Sequence, residues 1–252
     1  MTVNLGVGLV VALVLLIALA VVASIVGRLG IAREQVVAAL RAIAQLAVVS
    51  LVVAAAVQTV WGGLAFWLLM FAIAVWTTTG RVKVRSCWPW TAAALLVGIV
   101  PVMLTVFLTG AAPLNGTTIV ALGGIVTGNM MTAHTLTGRR LFAELRDKRG
   151  LYEAGLALGM ERPMAIGEVT DPVIAEGLVP NLDQTKTVGL VTLPGAFIGV
   201  LLGGGSPLQA GAAQVLVLIG IMAGQACTVA LMGWFVARTR IVPDDLRGVL
   251  HL

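Results

Sequence analysis

Charge is confined to four stretches of this chain, residues 28–41, 81–85, 139–186 and 238–247, and every position between them is apolar or uncharged. The uncharged runs cover 1–27, 42–80, 86–138 and 187–237. A helix needs about 20 apolar residues to cross the hydrocarbon core of a bilayer. The runs therefore predict one, two, two and two crossings, about seven in all, over 5–27, 42–60, 64–80, 89–110, 117–137, 187–203 and 211–236. The fold class expected is an all-α polytopic membrane protein, a single transmembrane domain over residues 1–252.

The linkers alternate in character. Residues 61–63, 111–116 and 203–207 carry no charge, whereas the other linkers and the C-terminal tail hold all 16 Lys and Arg. Basic residues close to span ends stay on the cytoplasmic side. The expected topology thus has its N-terminus outside, its C-terminus inside, and the one long linker, 138–186, in the cytoplasm.

Composition agrees with a membrane setting. The hydrophobic fraction is 59% and the charged fraction 11%, against about 25% charged in soluble domains. The net charge of +5 does not point to nucleic acid, because the bases flank apolar spans and no DNA- or RNA-binding signature is present. Residues 1–27 lack a basic leader segment, and their apolar run exceeds that of a usual secretion signal, so they read as a first helix. Cys87 and Cys227 both fall at or inside predicted spans and are not expected to pair.

Glycines recur at four-residue spacing in the spans: Gly124/Gly128, Gly195/Gly199, Gly199/Gly203 and Gly220/Gly224. Such pairs either let helix backbones approach closely or reflect the commonness of glycine in membrane helices. Pro101, Pro194 and Pro207 are expected to break or end helices. Pro194-Gly195 interrupts the sixth span near its middle, as a bend facing a pathway or as a plain kink.

Residues 138–186 hold eight acids and seven bases and are too few for an independent catalytic domain. The segment opens helically from Arg139, then contains Glu153-Ala154-Gly155, Gly159 and, later, Val169-Thr170-Asp171-Pro172. This resembles the cytoplasmic coupling loop of ABC-transporter permeases, Glu-Ala-Ala, three residues, Gly, nine residues, Ile-x-Leu-Pro. Val169 and Asp171 depart from it, while Glu153, Ala154, Gly155, Gly159 and Pro172 stand at matching positions. A short helix ending at a glycine corner makes a knob that can seat in a partner's groove. The bland alternative is a solvated loop.

Further segments carry the resemblance: Arg41-Ala42-Ile43-Ala44-Gln45-Leu46, Thr127-Gly128-Asn129-Met130-Met131, and Val179 to Gly195 with its Asp183-x-x-Lys186-Thr-Val-Gly-Leu-Val-x-Leu-Pro-Gly string. Together they look like the FetB-type ABC transporter permease family, described as iron exporters, with plant relatives associated with aluminium tolerance. The likeness runs from about Arg41 to Arg238. Members commonly follow Pro-Gly with two methionines, where this chain has Ala196-Phe197, so no methionine role is carried to that place. The resemblance implies a non-catalytic permease subunit of the cell inner membrane. It implies two copies pairing as a homodimer with two separate ATPase subunits, so that ATP sits on the partner and no cofactor on this chain. No Gly-x-x-x-x-Gly-Lys-Ser/Thr phosphate loop occurs here.

Polar groups inside a span are costly and often functional. In the fifth span these are Thr127, Asn129 and His134, joined by Met130 and Met131. Met130, Met131 and His134 can project to one side of a helix, and thioether and imidazole suit transition metals. They are candidates for transient metal contact, or else packing methionines and a histidine reaching water. Asn129 sits in the family-like string and either serves the pathway or hydrogen-bonds between helices. Asp183 and Lys186, three apart, can pair on a helix, as a gate or as solvated interface charges. Gln45 and Gln225 either bond neighbouring helices or face a polar cavity. His251 lies on the tail.

Cargo is less constrained. An iron-like metal follows from the resemblance. A small organic solute, such as a nucleotide sugar or a lipid-like molecule, is the second reading, and a stand-alone secondary transporter the third. A membrane hydrolase is disfavoured, since no Gly-x-Ser-x-Gly nucleophile motif is present.

Overall fold

A computed structural model describes residues 6–250; the first residue of the first predicted span, Leu5, and His251 lie outside them. Eleven helices follow in order: α1 Val7–Val26, α2 Ala32–Ala56, α3 Val60–Arg81, α4 Trp88–Leu108, α5 Gly116–Asp147, α6 Arg149–Ala157, α7 Arg162–Thr170, α8 Val179–Thr187, α9 Gly195–Leu202, α10 Pro207–Ala237 and α11 Asp244–Val249. Short 3-10 turns occupy Arg85–Cys87 and Ile174–Leu178. Among the described residues there is no strand. The chain is an all-α polytopic membrane protein, with six helices (α1 to α5 and α10) long and apolar enough to cross a bilayer.

The predicted span over 187–203 is not one helix: six continuous helices are long enough to cross, and the chain returns from the charged end at Thr187 to the uncharged linker before Pro207 as a broken segment. α8 stops at Thr187, the chain turns through 188–194, and α9 then has eight residues. At 1.5 Å per residue it is about 12 Å long, far short of the roughly 30 Å hydrocarbon layer. Hydropathy counts side chains, whereas the break lies in the backbone. Gly189 adopts a left-handed φ of +82° and donates to the Thr192 carbonyl at 2.9 Å. Pro194, which has no N–H to give, becomes the N-cap of α9. Pro101 behaves oppositely: it lies inside an unbroken α4 and neither breaks nor ends it, as membrane helices allow when neighbours compensate. Pro207 opens α10.

The chain divides at Ala56/Val57 into two compact units. In the first, α1 and α2 form an antiparallel hairpin. Ser24 Oγ donates to Gln35 Oε1 at 2.6 Å, and the turn passes through Arg28 and Gly30 at positive φ. No side chain of α2 is buried.

The second unit is a bundle of α3, α4, α5 and α10. The helices that begin at uncharged linkers carry side-chain caps. Thr59 accepts from Gly62 N–H before α3, and Asn115 accepts from Thr118 N–H before α5. Ser206 and Gln209 form a reciprocal capping box at α10. The charged ends gather at the opposite end, where Gly138 meets Val82 and Met232 and Arg247 donates to Ser86 Oγ at 3.2 Å. Each end has its own core. The span core joins Trp67, Leu95, Ile99, Val126, Met130 and Ile221. The charged-end core joins Val84, Leu141, Phe142, Tyr152, Ile166, Val236, Ile241 and Leu246.

Candidate functional site

α5 has 32 residues, or about 48 Å, so it outruns the hydrocarbon layer and carries its last turns past the span. Those turns hold an ion network. Glu144, with a side chain only 7% exposed, lies 3.1 Å from Arg140 and 2.6 Å from Lys148. Arg140 also lies 2.6 Å from Glu176. A carboxylate so deeply packed persists only with such partners. Lys148 then turns the chain, and α6 begins at the next residue.

α6 carries the predicted knob. Tyr152 is fully buried and its hydroxyl donates to the Leu250 carbonyl at 3.1 Å. Gly155 is buried against α7, where a Cβ would lie 3.2 Å from that of Ala165. Glu153 and Ala154 face outward, with Glu153 paired to Arg149 at 2.6 Å. The helix closes in a Schellman turn: Met160 N–H reaches the Gly155 carbonyl and Gly159 N–H the Leu156 carbonyl, both at 3.0 Å. Gly159 takes φ +84°, a conformation that costs an L-residue with a Cβ roughly 1 kcal/mol or more. Leu151, Leu158 and Met164 are exposed around this corner. Pro172 is exposed beyond α7. Glu153, Ala154 and Gly155 therefore share α6 with Gly159 in the turn that closes it, and Pro172 lies apart, in the turn beyond α7.

The C-terminal segment, read in the sequence as a tail, is part of this base. Ile241, Val242, Leu246 and Leu250 are at most 1% exposed. Arg146 grips Asp245 with two bonds, 2.7 and 3.2 Å. That hydrogen bond, before any other influence, holds the Asp245 carboxyl below its ordinary value. The signal was available: apolar residues at 242, 246 and 250 repeat every fourth position among charges.

The fifth-span candidates separate. Met130 and His134, one turn apart, are both fully buried. Met131, about 100° round the helix, is half-buried. The Met130 sulfur lies where α4 and α10 cross, against Gly98 and Gly224. Neither ring nitrogen of His134 has a protein partner, and the same holds for the hydroxyls of Thr78, Thr91, Thr137 and Thr228 and for Gln225 Oε1. Thr78 and His134 each stand one turn above the Val82–Gly138 contact and so share a level. Buried polar atoms ordinarily find partners, so these hydroxyls and the imidazole, spread over α3, α4, α5 and α10, each have capacity for water or a polar guest. Among the described residues no three His, Cys, Asp or Glu come together as a metal site.

Other candidates lie elsewhere. Asn129 Nδ2 donates to Ile125 O within its own helix at 2.8 Å, and it is the Asn129 carbonyl that receives Gln225 Nε2 at 3.2 Å. The α5–α10 bond thus exists through the backbone. Thr127 Oγ1 accepts from Trp67 Nε1 at 3.1 Å. Asp183 and Lys186 pair at 3.0 Å on α8, both well exposed. Pro194 and Gly195 start α9, and Gln45 is exposed on α2. Between α4 and α10 an apolar cleft of about 200 Å³ is lined by Gly98, Pro101, Val102, Gly220, Gly224 and Cys227.

Three relatives span most of this architecture. The UPF0014 membrane protein STAR2 of Oryza sativa subsp. japonica is 32% identical over 206 residues, 80% of this chain and 72% of the relative. The UPF0014 membrane protein YjkA of Bacillus subtilis is 29% identical over 213 residues, 81% of this chain and 82% of the relative. The "Probable iron export permease protein FetB" of Escherichia coli is 25% identical over 160 residues, 61% and 62% of the two chains. No solved structure matches the chain. The model of the Uncharacterised protein family UPF0014 matches residues 7–241, from the first helix to the segment beyond α10, and the chain belongs to that family.

Proposed function

We propose that this chain is the membrane-spanning permease subunit of an ABC transporter, driven by a separate ATPase subunit that docks on α6. The observation carrying the proposal is the shape of α6 itself. Its inner face is pinned by Tyr152 and Gly155, while Glu153, Ala154 and Leu158 project outward beside a glycine corner. A helix held firmly on one side and offered on the other can take a push and pass it on. In this reading ATP is bound and hydrolysed by the partner, and this chain performs no catalysis and binds no cofactor.

Two copies pair as a homodimer in the cell inner membrane, with the N-terminus outside and the basic ends, α6 included, in the cytoplasm; the distribution of Lys and Arg supports that orientation. The cargo is iron or a related metal, exported. The name of the Escherichia coli relative supports this, and so does the buried Met130–His134 face, whose thioether and imidazole suit a transition metal in passage. The apolar cleft between α4 and α10 favours a second cargo reading, a small lipid-like or other organic solute.

The test is co-expression and co-purification with a candidate ABC ATPase subunit from the same genome, followed by ATP hydrolysis in liposomes. Wild type is expected to retain the ATPase and to respond to iron(II). Leu158→Asp with Glu153→Arg should lose the ATPase while remaining inserted. Retention of the ATPase by that variant, or cargo movement at full rate by the chain alone, overturns the proposal. Stimulation by an organic solute but not by iron overturns the metal cargo only.

A further inference from the structure

The end of α10 and the start of α4 carry aromatic residues that pack on one another in tilted and edge-to-face contacts. Trp90 and Phe235 have ring centroids 5.1 Å apart, and Trp234 and Phe235 5.3 Å. The Arg238 guanidinium lies 3.9 Å from the Trp234 ring and that of Arg240 4.9 Å from Trp90. The five side chains make a ladder in the order Arg238, Trp234, Phe235, Trp90, Arg240, with a cation at each end. Stacking fixes a guanidinium plane yet leaves its N–H edge available. Neither Arg238 nor Arg240 forms an ion pair among the described residues.

The backbone is shaped to hold this arrangement. α10 closes in a Schellman turn, with Arg240 N–H on the Phe235 carbonyl at 2.8 Å and Thr239 N–H on the Val236 carbonyl at 2.9 Å. The residue taking the left-handed conformation is Thr239, at φ +58°. A β-branched residue there is a genuine outlier, and such strain clusters where a site is being held. The reversal carries Arg240 back over Trp90 instead of letting the chain run on. A groove of about 490 Å³ results, lined by Arg162, Pro163 and residues 237–240. Arg162 and Pro163 form the first turn of α7, so the positive end of that helix also opens into it.

We propose that this groove binds the phosphate of an anionic membrane lipid. Arg162, Arg238 and Arg240 all line it, and the planar fork of a guanidinium matches phosphate oxygens. A soluble phosphate offers the same chemistry, but the surroundings favour a lipid. Trp90 and Trp234 stand at the ends of two membrane-crossing helices, the level that tryptophan takes among headgroups. They remain 37% and 48% exposed, presenting ring surface to the upper part of an acyl chain. The proposal stands on these residues alone and is independent of any ATPase.

The test uses the purified full-length chain in neutral detergent, with thermal unfolding followed on adding dioctanoyl phosphatidylglycerol, dioctanoyl phosphatidylcholine or inorganic phosphate. Phosphatidylglycerol is expected to raise Tm by several degrees at concentrations where the other two leave it unmoved. R238Q/R240Q should lose most of that increment. R162Q keeps both ring contacts, so it tests the groove without disturbing the ladder, and it should also reduce the increment. An equal rise with inorganic phosphate makes the ligand a soluble anion and overturns the lipid. An equal rise with phosphatidylcholine, or an undiminished phosphatidylglycerol increment in R162Q, overturns the site.

Discussion

The two cores of the second unit are built on different terms. At the charged end, Phe142, Tyr152, Ile166 and Leu246 bury large side chains, and the carboxylates Glu144 and Asp245 beside them are paired. In the span, helices meet through missing side chains. A Cβ on Gly98 would stand 2.5 Å from the Gly224 carbonyl, and one on Gly63 2.6 Å from the Gly116 Cα. The span also leaves hydroxyls and an imidazole without partners. Water drives the first core by the hydrophobic effect. Lipid offers no such drive between helices, so close backbone approach supplies the second. Tight contact and unspent polar capacity therefore coexist in the span.

The largest expected effect is at the helix crossing. Gly98→Val should cost upward of about 3 kcal/mol, because the obstacle is the backbone of α10 and cannot rotate away. Monodispersity and Tm in detergent check this. Gly128→Ala is the paired control, since a Cβ there meets nothing within 4 Å, and should be neutral or stabilising by up to about 1 kcal/mol. Similar losses for both would dissolve the distinction drawn between the cores.

At the charged end, Tyr152→Ala should cost about 3–5 kcal/mol, and Tyr152→Phe only about 1 kcal/mol for the bond to Leu250. Proteolysis of the C-terminal segment should quicken in the first variant. A smaller change follows at the corner: Gly159→Ala should lower stability by about 1 kcal/mol through its positive φ. It should weaken ATPase retention in co-purification more than it lowers Tm. Equal retention would leave the corner a purely structural turn.

The smallest effect is set by pH. Arg146 depresses the Asp245 carboxyl, so its stabilisation is complete above the unfolded value near pH 3.9. It is lost as pH falls through the lower folded-state value. Asp245 is 54% exposed, which limits the gain to about 1 kcal/mol or less. Asp245→Asn should lower Tm slightly at pH 7, and the gap should close as pH approaches 2. A constant gap would assign the loss to something other than charge.

Six crossings were legible because apolar length and charge clusters are one-dimensional quantities. α1, α3, α4 and α10 begin and end within a few residues of the positions expected. α2 starts ten residues before its expected span, at Ala32, because a helix does not stop where the membrane does, and α5 overruns for the same reason. The break at Gly189 and Pro194 was half-visible: the proline was read, but not the turn that leaves α9 too short to cross. The α6 corner was legible through Gly159, since glycine after a short amphipathic run carries its own mechanism. The unpartnered polar set that includes His134 was not, because Thr78, Thr91 and Thr228 come from three other helices. Which of these hydroxyls end up buried without partners depends on packing register, which no local pattern encodes. The Trp90–Phe235 stack was hidden for the same reason.

α5 carries no interruption between its Asn115 cap and Lys148. It therefore acts as a single stiff rod, with the unpartnered imidazole part-way along it and the α6 corner joined at its foot by one residue. Between Asp147 and His134 a tilt of α5 meets no hinge in which to dissipate, so motion delivered to its foot reaches the imidazole as leverage instead of slack.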